Sequence, residues 1–281
     1  MAFTDLRGWL VAGAALVCVV PGWARAPGVA LVSDLAGTAH FKGRTKPLAL
    51  MAELPPHLTV ILKPGARITF VSLRTGAETT LAGPGRFRLD AQGEAHGLAI
   101  GKRRQVAVLS SVRLRPGTLA QAGMVMRTAP DPGGPAMSPG PWSLTATPEF
   151  RWRPAEGAAT YHFRLQDAQG EVLFDLAQPV CAIQVPEHLA LAEGAAYTWV
   201  LTTRHGDGSE TRATGQVRLV AKAVREALLA SRPALDAPFS ERLVYAALLE
   251  QQELHQEARA YWQSLARDRP DDPGLARLAA N

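Results

Sequence analysis

Cysteine is scarce in this sequence, which contains two such residues in 281. Cys18 lies in an apolar N-terminal run that we expect to be removed, so Cys181 would remain alone in the mature chain. A lone cysteine cannot form an intramolecular disulfide, and the folded protein must instead be stabilised by packed cores. In the run VCAIQV, Cys181 alternates with Ile183 and Val185, a pattern typical of a half-buried strand. We interpret Cys181 as a structural thiol rather than a reactive one.

Catalytic fingerprints are also missing. The sequence contains no GxSxG, HExxH, SxxK, Walker or dinucleotide-binding motif. Histidines such as His40, His96 and His188 are scattered singly, without the paired spacing that brings two imidazoles to one metal ion. The tract HGDG, from His205 to Gly208, predicts a hairpin turn with two consecutive residues of positive φ rather than a cation-binding loop. These features favour a protein without catalytic residues, metal or cofactor.

The N-terminal apolar run is too short for an ordinary membrane-spanning helix. Residues 8–20 form a run of thirteen, whereas a span needs about 20. Because Arg7 precedes this run and small residues follow it, we predict a secretory signal peptide over residues 1–24, cleaved after Ala24. The mature protein would then be periplasmic or secreted. Lipidation at Cys18 and an uncleaved N-terminal anchor are the two alternatives.

Glycine and proline are plentiful, with 25 and 21 residues, and they punctuate the sequence every few positions. Over residues 27–127 they separate eight strand-like runs, which predicts an all-β domain folded as a sandwich or a barrel-like roll. The runs are VALVSD, TAHFKG, PLALM, TVILK, RITFVSL, ETTLA, GRFRL and QVAVLSSVRL.

A second β domain is predicted over residues 142–220. Residues 128–141 precede it, and their five prolines and three glycines predict an exposed linker. The candidate strands are EFRWR, ATYHFRLQD, EVLFDL, CAIQV, AYTWVLTT and TRATGQVRLV. Large residues recur at every second position, so each strand offers one apolar face to an opposing sheet. Trp152 and Trp199 lie on such faces, and we expect both in the core.

After Val220 the apolar residues repeat with helical spacing, and residues 221–281 are predicted to be a helical tail that folds as an antiparallel hairpin. Ser240 is the expected N-cap of the first long helix. The predicted fold class is therefore mainly β, with two all-β domains and a C-terminal helical hairpin. The facing stripes of this hairpin would be Leu243, Ala246, Ala247 and Leu254 against Ala258, Trp262 and Leu265.

Each part of the chain resembles a known type of domain. The stretch from Leu31 to Leu89, with AGTAHF, LKPGARITF and LAGPGRFRL, resembles the FecR-like domain of bacterial envelope proteins. Residues 144–220, with TPEFRWRPAEGAATYHFRLQD and LAEGAAYTWVLTT, resemble a fibronectin type III-like sandwich, which implies a spacer or binding module. From residue 144 onward, the order resembles a family of exported bacterial proteins that joins such a sandwich to a helical end. The tail is similar to one tetratricopeptide (TPR) unit at Ala246, Leu249, Ala258, Trp262 and Pro270.

Positive charge is concentrated in the first domain. Residues 27–130 hold 14 Lys and Arg against 5 Asp and Glu, a net charge of +9, whereas residues 131–221 hold 6 against 10, a net charge of −4. Such a field attracts anionic surfaces with a strength that falls as salt rises. The local clusters are Lys102-Arg103-Arg104, Arg113-Arg115 and Arg86-Arg88.

These charges predict a non-enzymatic envelope protein that acts as a binding or scaffolding module. Its partner would be a lipid headgroup, an acidic polysaccharide or a protein, and export disfavours nucleic acid. Three other interpretations stay open. The basic side chains could form only a solvated face. The protein could be an envelope glycan hydrolase with two carboxyl groups about 5 to 10 Å apart, one with a raised pKa. It could also be an assembly component that recognises a partner helix or strand through an exposed β edge. The predicted anion-binding patch consists of Lys102, Arg103, Arg104, Arg113 and Arg115.

Overall fold

The computed structural model describes residues 28–110 and 137–280. The predicted signal peptide, residues 128–136 of the predicted linker, and both Arg113 and Arg115 lie outside the described residues. The fold is mainly β, as predicted, with strands up to residue 219 and α-helices after it. Within the described part of the chain, no helix is both long and apolar enough to cross a membrane.

Nine strands of the described chain form the first β unit. They are β1 (Ala30–Ala36), β2 (Ala39–Phe41), β3 (Glu53–Leu54), β4 (Thr59–Leu62), β5 (Arg67–Ser72), β6 (Ala77–Ala82), β7 (Gly85–Leu89), β8 (Ala95–His96) and β9 (Ile100–Gln105). One sheet has the order β3-β1-β5-β6-β9 and the other the order β2-β4-β7-β8. Phe70 and Phe87 stack between the sheets with ring centroids 5.7 Å apart, in a core that also holds Val32, Leu62 and Ile68.

One of the eight runs predicted as strands in this unit is wrong, and a second is wrong over its described residues, 105–110. PLALM makes only an isolated bridge, between Pro47 and His40. QVAVLSSVRL begins at the last residue of β9 and continues as a 3-10 helix, Ala107–Ser110. Its apolar spacing reflects Val106 and Leu109, which are buried against the helical tail. Strand β9 was not predicted, because IGKRRQ is an exposed edge strand that lacks apolar alternation. Charged side chains at such an edge discourage pairing with other chains.

The second β unit contains all six predicted strands and one more. They are β10 (Trp142–Ser143), β11 (Glu149–Arg151), β12 (Ala158–Gln166), β13 (Val172–Gln178), β14 (Ala182–Gln184), β15 (Ala196–His205) and β16 (Glu210–Leu219). The sheet β10-β16-β15-β12-β13 packs on the pair β11-β14, and the additional β10 lies parallel to β16. Trp152 and Trp199 are 5% and 8% exposed in the shared core, as predicted.

The C-terminal end of the predicted linker belongs to this second unit. Ser138 and Arg151 exchange two backbone hydrogen bonds, at 2.8 and 2.7 Å, and the carbonyl of Pro141 accepts from Arg218 at 2.9 Å. Tyr197, at the start of β15, accepts the N–H of Ala192 on its hydroxyl at 2.8 Å. The contact has the geometry called a tyrosine corner, in which a tyrosine hydroxyl bonds to the backbone a few residues upstream.

Residues 206–209 connect β15 to β16 as a hairpin turn, as predicted. The N–H of Gly208 donates to the carbonyl of His205 at 3.0 Å. Gly208 has φ of +85°, whereas Asp207 keeps a negative φ, so the expectation of two consecutive positive values is wrong. A short loop closed by one left-handed glycine is another common hairpin connection.

The helical tail contains α1 (Lys222–Ala230), α2 (Phe239–Gln251), α3 (His255–Asp268) and α4 (Pro273–Ala280). Helices α2 and α3 are the predicted hairpin, and all seven residues of its facing stripes are at most 1% exposed. Helices α1 and α4 extend it beyond the prediction. The predicted N-cap is wrong: Pro238 precedes the first helical residue, and Ser240 lies inside the first turn.

The tail packs on the outer face of β3-β1-β5-β6-β9, the five-stranded sheet of the first β unit. Leu31 and Val71 of that sheet join Tyr245, Leu248 and Leu249 in one buried cluster. This cluster also includes Leu144 and Val220 of the second β unit. The five-stranded sheet is therefore covered on one face by the four-stranded sheet and on part of the other by the helices.

Candidate functional site

The predicted basic patch is divided by the geometry of β9. Lys102 pairs with Thr80 on β6, and Arg104 pairs with Glu78. Because side chains alternate along a strand, Lys102 and Arg104 point toward the helical tail and Arg103 points to the opposite face. Arg103 pairs there with Glu94, with Nη2 and Oε1 2.6 Å apart. The structure thus brings together two of the three described members of the predicted patch.

Arg104 connects the sheet to the start of α2. Its guanidinium donates to the Glu78 carboxylate and to the Ser240 hydroxyl, and its Nη1 lies 3.0 Å from Oε1 of Glu241. Glu78 is almost completely buried, with 11% of its side chain exposed. Arg104 therefore has a structural role, and it is not a free cation for a ligand.

Lys102 lines a cleft of about 200 Å³ between the five-stranded sheet and the tail. The floor of the cleft is one row of side chains across four strands, in which Asp34, Thr69, Thr80 and Lys102 are successive cross-strand partners. The hydroxyl oxygens of Thr69 and Thr80 are 3.0 Å apart and share a hydrogen bond. The opposite wall consists of Phe239, Ser240 and Arg269.

Two β-bulges shape this floor, because a bulge re-aims side chains locally. The register of β1 on β5 shifts between Val32 and Asp34, which adds Ser33 to the strand. The register of β9 on β6 shifts beside Thr80, which adds Gly101. Ser33 lines the cleft, and its buried Oγ has no hydrogen-bond partner among the described residues.

The charges in the cleft are mostly paired. Arg269 donates from Nη2 to Oδ1 of Asp34 at 2.7 Å, and its guanidinium lies 5.1 Å from the ring centroid of Phe239. The lining residues carry three cations and two carboxylates. Lys102 is the lining cation with no ion pair among the described residues.

A second charged surface lies on the outer face of the four-stranded sheet. The inward side chains of this sheet are Phe41, Leu62, Phe87 and Leu89. Because side chains alternate along a strand, the residues next to these point outward. Four of these outward residues are exposed cations without an ion pair among the described residues, and we call them the basic face: Lys42, Lys63, Arg86 and Arg88.

One acidic residue borders this basic face. Asp90 follows β7 and lies 3.0 Å from Nε2 of His96, a hydrogen bond that lowers the pKa of Asp90. The alternation in GRFRL already predicted that Arg86 and Arg88 share one side of a strand. Sequence reasoning missed Lys42 and Lys63, because only the strand order β2-β4-β7 brings them beside that pair.

No other titratable cluster of the described chain suggests a reactive site. Residues 28–110 and 137–280 contain no group of three or more His, Cys, Asp or Glu side chains that could hold a metal ion. Burial raises the pKa of Glu257, which lies in α3 and does not line the cleft.

Comparison with known proteins gives no family. No family model matches the chain, and no curated protein matches it. Among solved structures, the chain is similar to a β-1,2-glucanase from Parabacteroides distasonis, with 9% sequence identity and a TM-score of 0.21, over 86% of this chain and 48% of that one. This chain thus spans about half the length of that enzyme, and a likeness at this level carries no argument about fold or activity.

Proposed function

We propose that this protein is a non-enzymatic, exported binding module whose first β unit docks to an acidic polysaccharide of the cell envelope. The second β unit and the helical tail serve as the scaffold. The proposal also assigns a type to each part of the chain: the first β unit is FecR-like, the second is fibronectin type III-like, and the tail is TPR-like. The strand order of the second unit, its tyrosine corner at Tyr197 and the α2–α3 hairpin support that assignment.

The observation that carries the proposal is the basic face. Adjacent strands are about 4.8 Å apart, and alternate residues of one strand about 6.7 Å apart. Lys42 and Arg88 flank Thr59 in one cross-strand row, and Arg86 pairs with Ile61 in the next. By these spacings Arg86 lies about 6.7 Å from Arg88 and about 8 Å from Lys63. Lys42 lies two strand spacings, about 9.6 Å, from Arg88. Each cation thus has another at, or slightly beyond, the Debye length of roughly 8 Å at physiological salt. Their fields add, and an extended polyanion can contact several at once.

A polysaccharide matches this face better than a bilayer does. Proteins that bind bilayer interfaces commonly insert apolar side chains below the headgroups. The outward residues of β2, β4 and β7 include no exposed large apolar side chain, since Ile61 is half-buried. A group of exposed cations on adjacent strands, with no exposed large apolar side chain among the outward residues of those strands, fits a polymer that carries carboxylates at regular intervals.

The glycan hydrolase alternative has less support from the cleft. The cleft is lined by two carboxylates, and an arginine holds each of them. Asp34 is paired with Arg269, and Glu78 is paired with Arg104. The described carboxyl group with a raised pKa, that of Glu257, is not in the cleft. A general acid needs a protonated carboxyl group that faces the substrate.

The experiment compares retention of the mature chain on immobilised polygalacturonate at low and physiological salt. A variant with Lys63→Ser, Arg86→Ser and Arg88→Ser should lose most of the low-salt retention, because it removes three of the four cations. Retention of the unaltered chain should fall steeply between about 0.01 and 0.15 M salt, where the Debye length shortens from about 30 to about 8 Å. The melting temperature should stay nearly unchanged, since all three side chains are exposed.

The matched control removes the same charge from the second unit, with Arg151→Ser, Arg204→Ser and Arg212→Ser, all exposed. This control should keep its retention. Equal losses in the two variants would show that only net charge matters, which contradicts a docking face. Binding to phosphatidylglycerol liposomes but not to polygalacturonate would overturn the choice of a polysaccharide.

A further inference from the structure

We propose that the cleft between the five-stranded sheet and the helical tail is a separate binding site, which takes a small hydroxylated monocarboxylate of the size of one sugar acid. The site rests on Lys102, Ser33 and the first turn of α2. It lies on the five-stranded sheet, whereas the basic face belongs to the four-stranded sheet, so the two proposals can fail independently.

The first argument is the unpaired ammonium group of the cleft. Arg104 is shared by Glu78 and Glu241, and Arg269 is held by Asp34. Lys102 extends from the floor of the same cleft without an ion pair among the described residues. Because Arg104 has two carboxylate partners, these charges balance overall. The ammonium group can therefore pair with one carboxylate of a ligand, but the cleft offers no partner to a second one.

The second argument is the uncapped start of α2. Pro238 precedes the helix and supplies no side-chain cap, and the Ser240 hydroxyl is occupied by Arg104. No described residue accepts a hydrogen bond from the N–H of Phe239 or Ser240, and both residues line the cleft. Free N–H groups in the first turn of a helix carry partial positive charge and bind anions.

The third argument is independent of charge. The Ser33 hydroxyl is buried, with the residue 1% exposed, and it lacks a hydrogen-bond partner among the described residues. A buried hydroxyl without a partner costs about 1–3 kcal/mol, so its persistence calls for an explanation. Because Ser33 is the extra residue of a bulge that lines the cleft, rotation of its side chain about χ1 toward the cleft would let a ligand oxygen supply the missing partner.

The size and composition of the cleft narrow the ligand class. Its volume of about 200 Å³ corresponds to several water molecules at about 30 Å³ each, or roughly a dozen non-hydrogen atoms. Hydroxyl groups of Thr69, Thr80 and Ser240 line it, and Phe239 provides an apolar wall. Binding sites of this kind combine a few placed polar groups with an apolar surface. A carboxylate with several hydroxyl groups, as in a uronic acid, matches this lining.

The test is calorimetric titration of the mature chain with D-galacturonate, D-galactose, acetate and inorganic phosphate. Galacturonate should bind at least about tenfold more tightly than galactose, which lacks the charge, and than acetate, which lacks the hydroxyl groups. Lys102→Gln should weaken galacturonate binding at least about tenfold. Ser33→Ala should also weaken it without lowering the melting temperature, because this hydroxyl makes no bond within the described protein.

Lys222→Gln is the matched control, because it removes one exposed lysine charge from α1, outside both the cleft and the basic face, and should leave galacturonate affinity unchanged. The proposal is overturned if galacturonate does not bind, if galactose or phosphate binds as tightly, or if Lys102→Gln has no effect. Polygalacturonate retention that survives in Lys102→Gln but not in the variant of the basic face would separate the two sites.

Discussion

Two buried tryptophans offer a matched test of how this fold is stabilised. Trp262, 1% exposed, donates from Nε1 to Oε1 of Glu250 at 2.9 Å, and the side chain of that glutamate is 3% exposed. Trp152, 5% exposed, packs with its ring centroid 5.5 Å from that of Tyr161, and its Nε1 has no hydrogen-bond partner among the described residues. The same substitution, Trp→Phe, therefore has opposite polar consequences at the two sites.

The magnitudes follow from those contacts. Both substitutions remove the same atoms, so the apolar losses are similar. Trp262→Phe also removes a hydrogen bond to a buried carboxylate, which contributes about 1.5–3 kcal/mol, whereas Trp152→Phe relieves an unsatisfied N–H that costs about 1–3 kcal/mol. We expect Trp262→Phe to be more destabilising by at least about 2 kcal/mol. Truncation to alanine should cost about 3–5 kcal/mol at either site.

The assay is urea denaturation of the mature chain, with each variant compared in the transition of its own unit, because a chain of several units can unfold in more than one step. If the m-values of the variants are unchanged, the differences in their free energies of unfolding arise from lost native contacts rather than from a change in the denatured state. If Trp152→Phe costs as much as Trp262→Phe, the inferred difference between the two indole N–H groups is wrong.

Four further predictions concern two single contacts, the mature N-terminus and the segment between the two β units. The Glu250 carboxylate, 2.6 Å from Nδ1 of His255, raises the pKa of His255 above 6.5. The stability that this pair contributes is fully present below pH 6.5 and is lost as pH rises through the raised pKa. Thermal melts should show this decline, and His255→Gln should abolish it. Tyr197→Phe should lower the free energy of unfolding by about 1 kcal/mol, because the N–H of Ala192 loses its acceptor; an unchanged value would contradict the tyrosine corner. Mass spectrometry should find the mature N-terminus after Ala24, and limited proteolysis should cut first within residues 128–136; an intact Met1 or a resistant segment would refute the respective prediction.

The period-two pattern made most of the β architecture predictable from the sequence. The second unit alternates apolar and polar residues so regularly, as in ATYHFRLQD, that six of its seven strands could be identified. Strand β9 could not, because a solvent-facing edge strand needs no apolar alternation. The N-cap prediction at Ser240 failed since Pro238, with its fixed φ, sets the start of α2 two residues earlier.

The candidate sites depend on contacts that no local pattern encodes. The ion pair of the cleft joins Asp34 to Arg269, and the same cleft brings Lys102 against the start of α2. Periodicity finds which face of a strand is buried, but it does not show which distant helix covers that face. Charge counting assigns the excess of cations to the first unit as a whole. Only the strand order and the packing of the tail separate paired cations such as Arg104 from unpaired ones such as Lys63.

Lysine acetylation footprinting tests the central claim of polysaccharide docking most directly. Lys42 and Lys63 belong to the basic face, whereas the exposed Lys222 lies in α1, in the helical tail. With polygalacturonate bound at low salt, acetylation of Lys42 and Lys63 should slow several-fold, while Lys222 reacts at an unchanged rate. Protection should weaken as salt rises to the physiological level, because screening shortens the range of the charges. Equal acetylation of Lys42 and Lys63 with and without bound polysaccharide would contradict the proposed docking face.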